Sequence, residues 1–190
     1  MLVIMIFCSL FSFSSFATEK IFAFASYDEA KEAKNYLKFE GESTKLGLVT
    51  TDFDGYVKKF KIDYQLTKLK MEKLKVIIEA KSIDTDSGSR NEKMYELCLE
   101  TKKYPQISFE LSKALDMQEG KQQVVGILKV RENQVEVPIE LEIKKSESGY
   151  RVEGETHFSL KELKIADPSI SIASVNDKFD IDFDVNLDAN

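Results

Sequence analysis

Beyond residue 17 the chain alternates hydrophobic and polar positions with a period of two, the spacing that sends successive side chains to opposite faces of a strand. In VEVPIELEI, Val135, Val137, Ile139, Leu141 and Ile143 share one face, and Glu136, Pro138, Glu140 and Glu142 share the other. KFDIDFDVNL sets Phe179, Ile181, Phe183, Val185 and Leu187 against Asp180, Asp182, Asp184 and Asn186. One stripe carries Tyr56, Phe60, Ile62, Tyr64 and Leu66; the next carries Leu74, Val76, Ile78 and Ala80. Further strands are predicted around Ile107, Phe109 and Leu111, around Val124, Leu128 and Val130, and from Tyr150 through Val152, Thr156 and Phe158 to Leu160. Less regular alternation marks 36–43 and 48–53. The expectation is an all-β fold of about eight antiparallel strands with one dry face. Closing them into a single eight-stranded barrel removes both unpaired edges. A two-sheet sandwich has the same period, and the pattern does not separate the two.

Three stretches break the alternation. Ser26 followed by Glu29 has capping-box spacing ahead of Ala30, Ala33 and Leu37, which predicts a short N-terminal helix. SRNEKMYELCLETKKYP places Met94, Leu97 and Cys98 on one stripe of a second short helix, started by Ser89 or Asn91. Pro105 then stops helical continuation and turns Tyr104 toward extended geometry. LKELKI suggests a helical turn with Leu160 and Leu163 inward, while Gly120 and the polar run 144–149 read as hairpin connections. No repeat, linker or second domain is visible, so 18–190 reads as one domain.

The first seventeen residues, MLVIMIFCSLFSFSSFA, carry no charge. They are short for a membrane span and end in Ser15-Phe16-Ala17, a small-x-small cleavage pattern, so 1–17 reads as a signal peptide cut after Ala17. A cut after Ala25 ranks second, because it would put Glu19 and Lys20 inside the leader. Cys8 lacks the small-residue approach of a lipidated cysteine. Removal of the leader leaves Cys98 without an internal partner, no stable membrane span and an exported, periplasmic domain.

Composition narrows the function classes. With 27 Lys plus Arg against 33 Asp plus Glu the net charge is −6, which lacks the basic footprint of a nucleic-acid binder. At 43% apolar, with 3 Pro and 8 Gly, the chain is neither disordered nor low-complexity. A domain of this length buries roughly 70% of its unfolded surface, so it requires neither a disulfide framework nor a structural metal.

Candidate chemistry is sparse. SIDTDSGSRNE resembles a calcium loop superficially, but Gly88 stands at a ligand position, Ser89 at the required glycine and Tyr95 at the bidentate acid. Asp84 and Asp86 are expected to accept backbone hydrogen bonds in a turn instead. His157, the single histidine, lies beside Glu153 and Glu155 on a wet strand face, and Cys98 lies on an apolar stripe. Neither completes a metal set or a nucleophile–base pair. GxSxG, HExxH and glycine-rich phosphate loops are absent from the sequence. We expect no catalytic residue, no metal and no cofactor. Asp180, Asp182 and Asp184 read as a solvated face that repels anionic surfaces.

Two separated segments carry a family resemblance. AKSIDTDSGSRNEKMYELCLETKKYPQISFE resembles a stretch of the YceI-like family, with Ile83, Asp84, Thr85, Arg90, Met94, Lys103, Tyr104, Pro105, Ile107 and Phe109 in matching places. FSLKELKIADPSISIASVNDKFDIDFDV resembles the closing block of that family at Leu163, Ile165, Asp167, Pro168, Ser169, Val175, Asp177, Phe179 and Phe183. Gly126, Leu128, Val135 and Pro138 fall in register with its central hairpin, so the resemblance spans about 35–187. Departures are Glu132-Asn133 for the usual His-Gly, Asn91 for the Asp after the arginine, and 96–100 for a longer acidic-aromatic run. The opening strand also lacks the family's His-Ser.

The resemblance implies an exported, lipocalin-like barrel that in some members holds a polyisoprenoid. In such a barrel the inward candidates Phe39, Phe53, Phe60, Tyr64, Phe109, Phe158, Phe179 and Phe183 serve as core filler or cavity lining, and Lys103 and Tyr104, which flank a strand entry, serve as mouth contacts or as a structural cap. The expected function is binding or carriage of a polyisoprenoid or similar long apolar lipid. The alternative is a structural or envelope-stress interaction protein with a filled core, acting as a homodimer.

Overall fold

The computed structural model describes residues 18–67 and 69–189, so the expected leader and Cys8 lie outside the described residues. The alternating segments form one antiparallel sheet of thirteen strands. These are β1 (Thr18–Ala23), β2 (Tyr36–Lys45), β3 (Val49–Val57), β4 (Lys59–Thr67), β5 (Lys70–Glu79), β6 (Ile83–Asp84), β7 (Gln106–Leu111), β8 (Leu115–Asp116), β9 (Gly120–Val130), β10 (Asn133–Ser146), β11 (Gly149–Ser159), β12 (Ala173–Val175) and β13 (Lys178–Asp188). Hydrogen-bonded neighbours run β4, β5, β7, β9, β10, β11, β13, β2, β3, and β3 continues into β4 through Lys58 alone.

Counted with β3 and β4 as one bent strand, eight strands close a ring, which is the expected barrel. The remaining segments correct the simple count of eight. β1 lies on β4, pairing Phe22 with Phe60, and β6, β8 and β12 are two- or three-residue additions. Closure is secured across the seam by Tyr64 of β4. Its hydroxyl donates to the Asp188 carbonyl at 3.1 Å and accepts from the Asp188 amide at 2.9 Å, while Lys20 pairs with the Asp188 carboxylate at 2.9 Å.

The bend explains a second correction. Tyr56 and Phe60 share parity and were expected on one inward stripe, but Lys58 is an odd residue at the bend and reverses the facing. Val57, Phe60, Ile62 and Tyr64 therefore belong to the main core, whereas Tyr56 joins Tyr27 and Ala30 in a separate cluster. The bent backbone keeps its partners: Lys58 N–H donates to Ser82 O, Lys59 N–H to Ser82 Oγ, and Phe24 N–H to Lys58 O.

Helix α1 (Tyr27–Glu32) is capped as expected, with Ser26 Oγ accepting from Glu29 N–H at 3.2 Å. It ends before Ala33, and Leu37 belongs to β2 instead. The second helix departs more. α2 (Gly88–Lys93) starts after Ser87 and passes into a wider turn over Met94–Cys98, closed by Leu99 N–H to Met94 O five residues back. The widening rotates the apolar stripe, so Cys98 and Leu99 are buried and Leu97 is exposed. Asn91 does not cap this helix. Its carboxamide accepts from Thr85 N–H and Oγ and donates to Asp84 Oδ1. The 160–164 stretch forms turns, with Leu160 and Leu163 inward as expected.

The acidic run is also less uniform than its alternation suggests. Asp180 is exposed, but Asp184 is buried and gripped by Arg151, whose Nε donates to Oδ1 at 2.9 Å and whose Nη2 donates to Oδ2. Among the described residues no helix is long and apolar enough to cross a membrane.

Candidate ligand cavity

The inward stripes do not fill the barrel. They enclose a cavity of about 350 Å³ whose wall is built almost wholly from aliphatic and aromatic side chains. Six of the eight aromatic candidates stand on that wall: Phe39, Phe53, Phe109, Phe158, Phe179 and Phe183. Phe179 forms the hub of one group, with its ring centroid 5.6 Å from Phe158 and 5.9 Å from both Phe39 and Phe53. These are edge-on, tilted and offset separations typical of packed aromatic clusters.

Phe60 and Tyr64 are core residues but stand off the cavity wall. Phe60 is stacked on Phe22 of β1 at 4.6 Å, and the Tyr64 hydroxyl is committed to Asp188. β4 offers Ile62 to the cavity instead.

Glycine sets the width of the interior. Phe39 faces Gly55 and Phe53 faces Gly41 across the β2–β3 ladder, and Phe183 faces Gly154 across β11–β13. At each position a Cβ on the glycine would meet the opposing ring, and at Gly126 it would meet Phe109. Bare backbone thus gives each ring room beside the wall. Isolated glycines in alternating strands were the available sequence signal for this arrangement.

One end of the cavity differs from the rest. Thr85, Arg90 and Lys93 reach the wall there beside Ser43, Pro168 and Val175. The Arg90 guanidinium lies 4.5 Å from the Phe53 ring centroid, and its Nη1 donates to Thr85 O at 3.2 Å. Lys93 Nζ donates to Pro168 O, which joins α2 to the segment before β12. Among the described residues neither cation has a carboxylate within salt-bridge distance, whereas Arg131 and Arg151 both do. A third cation on the wall, Lys38, is paired with Glu40 and Asp182. Sequence alone does not mark this pair, because Arg90 and Lys93 resemble any solvated helix face. Their one signal was i, i+3 spacing on the helix that also carries Met94.

Lys103 and Tyr104 stand off the cavity wall. They occupy a turn in which both amides donate to Glu100 O, and the Tyr104 ring has Lys103 at 4.8 Å and Arg131 at 5.8 Å. Cys98 is buried on the wall with Ala166 O as its hydrogen-bond partner, at 4.0 Å. Burial pushes its thiol pKa up against the opposing pull of Lys93 and Arg131. His157 is exposed on β11 opposite Asp180, so the structure does not bring it to Cys98.

A closed antiparallel barrel with an apolar interior and a cationic rim defines a binding-type domain. The chain matches the family model for the YceI-like domain over residues 29–187, and it belongs to that family. No curated protein matches the chain. Among solved structures, BcnA of Burkholderia cenocepacia is similar with a TM-score of 0.63 at 18% identity, covering 78% of this chain and 94% of that one. A polyisoprenoid binding domain from Saccharophagus degradans gives 0.59 at 15% identity, covering 79% and 91%. The Campylobacter jejuni YCEI protein gives 0.58 at 17%, covering 75% and 88%.

Proposed function

We propose that the protein binds one long, slender apolar chain, a polyisoprenoid or a lipid of similar shape, within the barrel. The observation that carries this reading is the cavity of about 350 Å³ walled by hydrocarbon. Its volume falls in the ~300–1,000 Å³ range of small-molecule sites. Empty apolar space forfeits packing contacts that a guest restores. Each buried CH₂ contributes about 0.8 kcal/mol, so one isoprene unit contributes roughly 3–4 kcal/mol. Micromolar affinity needs about 8 kcal/mol net, so roughly four units, at about 12–16 kcal/mol gross, reach it after association costs of about 4 kcal/mol or more.

Family membership and the Saccharophagus polyisoprenoid binding domain support the same class of guest. A cavity of this size weighs against the filled-core alternative. The head group is placed at the cationic end, where Arg90 and Lys93 have N–H donors beyond those given to Thr85 and Pro168. That replaces Lys103 and Tyr104 as the mouth contacts.

We place the protein in the periplasm, exported through residues 1–17. Cleavage after Ala17 leaves β1 whole, whereas cleavage after Ala25 removes β1 and the Phe22–Phe60 stack. Native mass spectrometry of protein purified from its own host tests the binding reading. A stoichiometric co-purifying lipid is expected. Bare protein that also takes up no added isoprenoid would overturn it.

A further inference from the structure

The cationic end of the cavity adjoins a projecting apolar tip. Five of the nine exposed large hydrophobic side chains among the described residues gather there: Leu46, Leu48, Val49, Ile170 and Ile172, at 55% to 86% exposure. The β2–β3 connection supplies the first three and segment 168–175 the others. The two are tied by Leu46 N–H to Ile172 O at 2.9 Å and by β12 on β2, where Val175 pairs with Ser43. Ser43, Pro168 and Val175 also stand on the cavity wall, so the tip is continuous with the mouth.

The turn itself is built against local preference. Leu48 N–H donates to Lys45 O at 3.0 Å, and the two central residues, Leu46 and Gly47, have φ of 52° and 67°. That is the mirror-image hairpin turn, whose first central position suits asparagine, aspartate or glycine. A leucine there strains the backbone and gains no burial in the barrel, being 74% exposed. Hairpin formation does not account for its presence.

Charge favours one kind of partner. In a chain of net charge −6, residues 43–51 and 168–175 contain no Asp or Glu and one Lys, Lys45. The nearest acids in sequence, Glu42, Asp52, Asp167 and Asp177, flank the patch. The tip itself therefore adds no negative charge against an anionic surface. Its narrow turn suits shallow insertion, whereas a stable protein interface needs roughly 800 Å² from each partner.

We infer that the Leu46–Leu48–Ile172 tip inserts into the headgroup boundary of a lipid bilayer and sets the cavity mouth against the membrane. A long apolar chain then crosses between bilayer and barrel with little exposure to water. The docking rests on the tip alone; its use in lipid transfer rests on the proposed function above.

The test compares wild type, L46S/L48S/I172S and V125S, which alters an exposed apolar residue on β9. Each is recovered from the producing cells with its N-terminal residue read by mass spectrometry, so that all samples start alike. Cosedimentation with phosphatidylglycerol–phosphatidylethanolamine vesicles is expected for wild type and V125S. In the triple variant partitioning should fall by a factor of about ten or more, since each inserted aliphatic side chain alone contributes on that order. Unchanged melting and isoprenoid uptake from detergent would show that the variant remains folded with its cavity intact. Wild type that ignores vesicles, or a triple variant that partitions as wild type does, overturns the inference. So does light scattering that shows a wild-type dimer abolished by the variant, which would make the tip a contact between copies. Vesicle binding without isoprenoid uptake by wild type supports the docking and defeats the cavity reading instead.

Discussion

The ring of Phe109 occupies the space into which Gly126 would project a side chain. Glycine at 126 therefore gives the ring its place beside the wall, next to the open cavity. In Gly126→Ala the methyl group displaces the ring inward, where there is room to receive it. The expected stability loss is about 1–3 kcal/mol, the usual range for overpacking. Bound lipid, read by native mass spectrometry, should fall further than stability does. Gly88→Ala serves as the control, because its added Cβ meets nothing within 4 Å. Lipid occupancy that survives G126A unchanged would reject the role given to the glycine.

Arg90 and Lys93 separate head-group recognition from tail burial. In an R90M/K93M variant the cavity keeps its hydrocarbon wall but loses both unpaired cations. Affinity for a long-chain carboxylate or prenyl phosphate is expected to fall about tenfold or more, the scale of one lost charge-assisted hydrogen bond. Affinity for the alcohol of equal chain length should change much less. Isothermal titration of both ligands reads the difference. An equal loss for acid and alcohol would assign the pair to anchoring α2 through Thr85 and Pro168, not to the ligand.

Cys98 reports on occupancy without a mutation. Its side chain is buried on the cavity wall, and burial raises its pKa, so the neutral thiol dominates at pH 7. Reaction with a disulfide reagent should be slow there and accelerate with pH beyond the ordinary thiol value of about 8.5. Added isoprenoid should slow it again by covering the sulfur. Protection that fails to appear with a ligand bound in stoichiometric amount would place the chain elsewhere.

The barrel was legible in the sequence because one dry face imposes period two over long strands. VEVPIELEI lies within β10 and KFDIDFDVNL within β13. Period two does not report where parity breaks. The bend at Lys58 turns Tyr56 away from the core although its spacing from Phe60 is even. Nor does helical spacing anticipate a wide turn, which is why Leu97 was expected inward and is exposed while Leu99 takes its place. The cavity wall was partly legible, since any bulky inward residue is a candidate. Whether such a residue faces space or packing depends on its neighbour across the ladder. Gly55 opposite Phe39 leaves room, whereas Phe22 opposite Phe60 takes it.

The Lys58 bend depends on Asp84, which gives a pH prediction. Asp84 accepts from Lys58 Nζ at 2.8 Å, Asn91 Nδ2 at 2.8 Å and Asp86 N–H at 3.1 Å. Burial alone would raise its pKa, but the Lys58, Asn91 and Asp86 donors outweigh burial and hold the carboxyl below its ordinary range. A depressed folded-state pKa stabilises the fold above the unfolded value of about 3.9, and that contribution disappears as pH falls through the folded value. Asp84→Asn should cost about 1–3 kcal/mol at pH 7, because it removes the ion pair with Lys58 and weakens the hydrogen bonds around it. The gap between wild type and variant should narrow below about pH 4, as protonation deprives wild type of the same charge. Urea unfolding at pH 7 and pH 3 measures both gaps. A gap of equal size at the two values would mean that the Asp84 charge does not hold the bend.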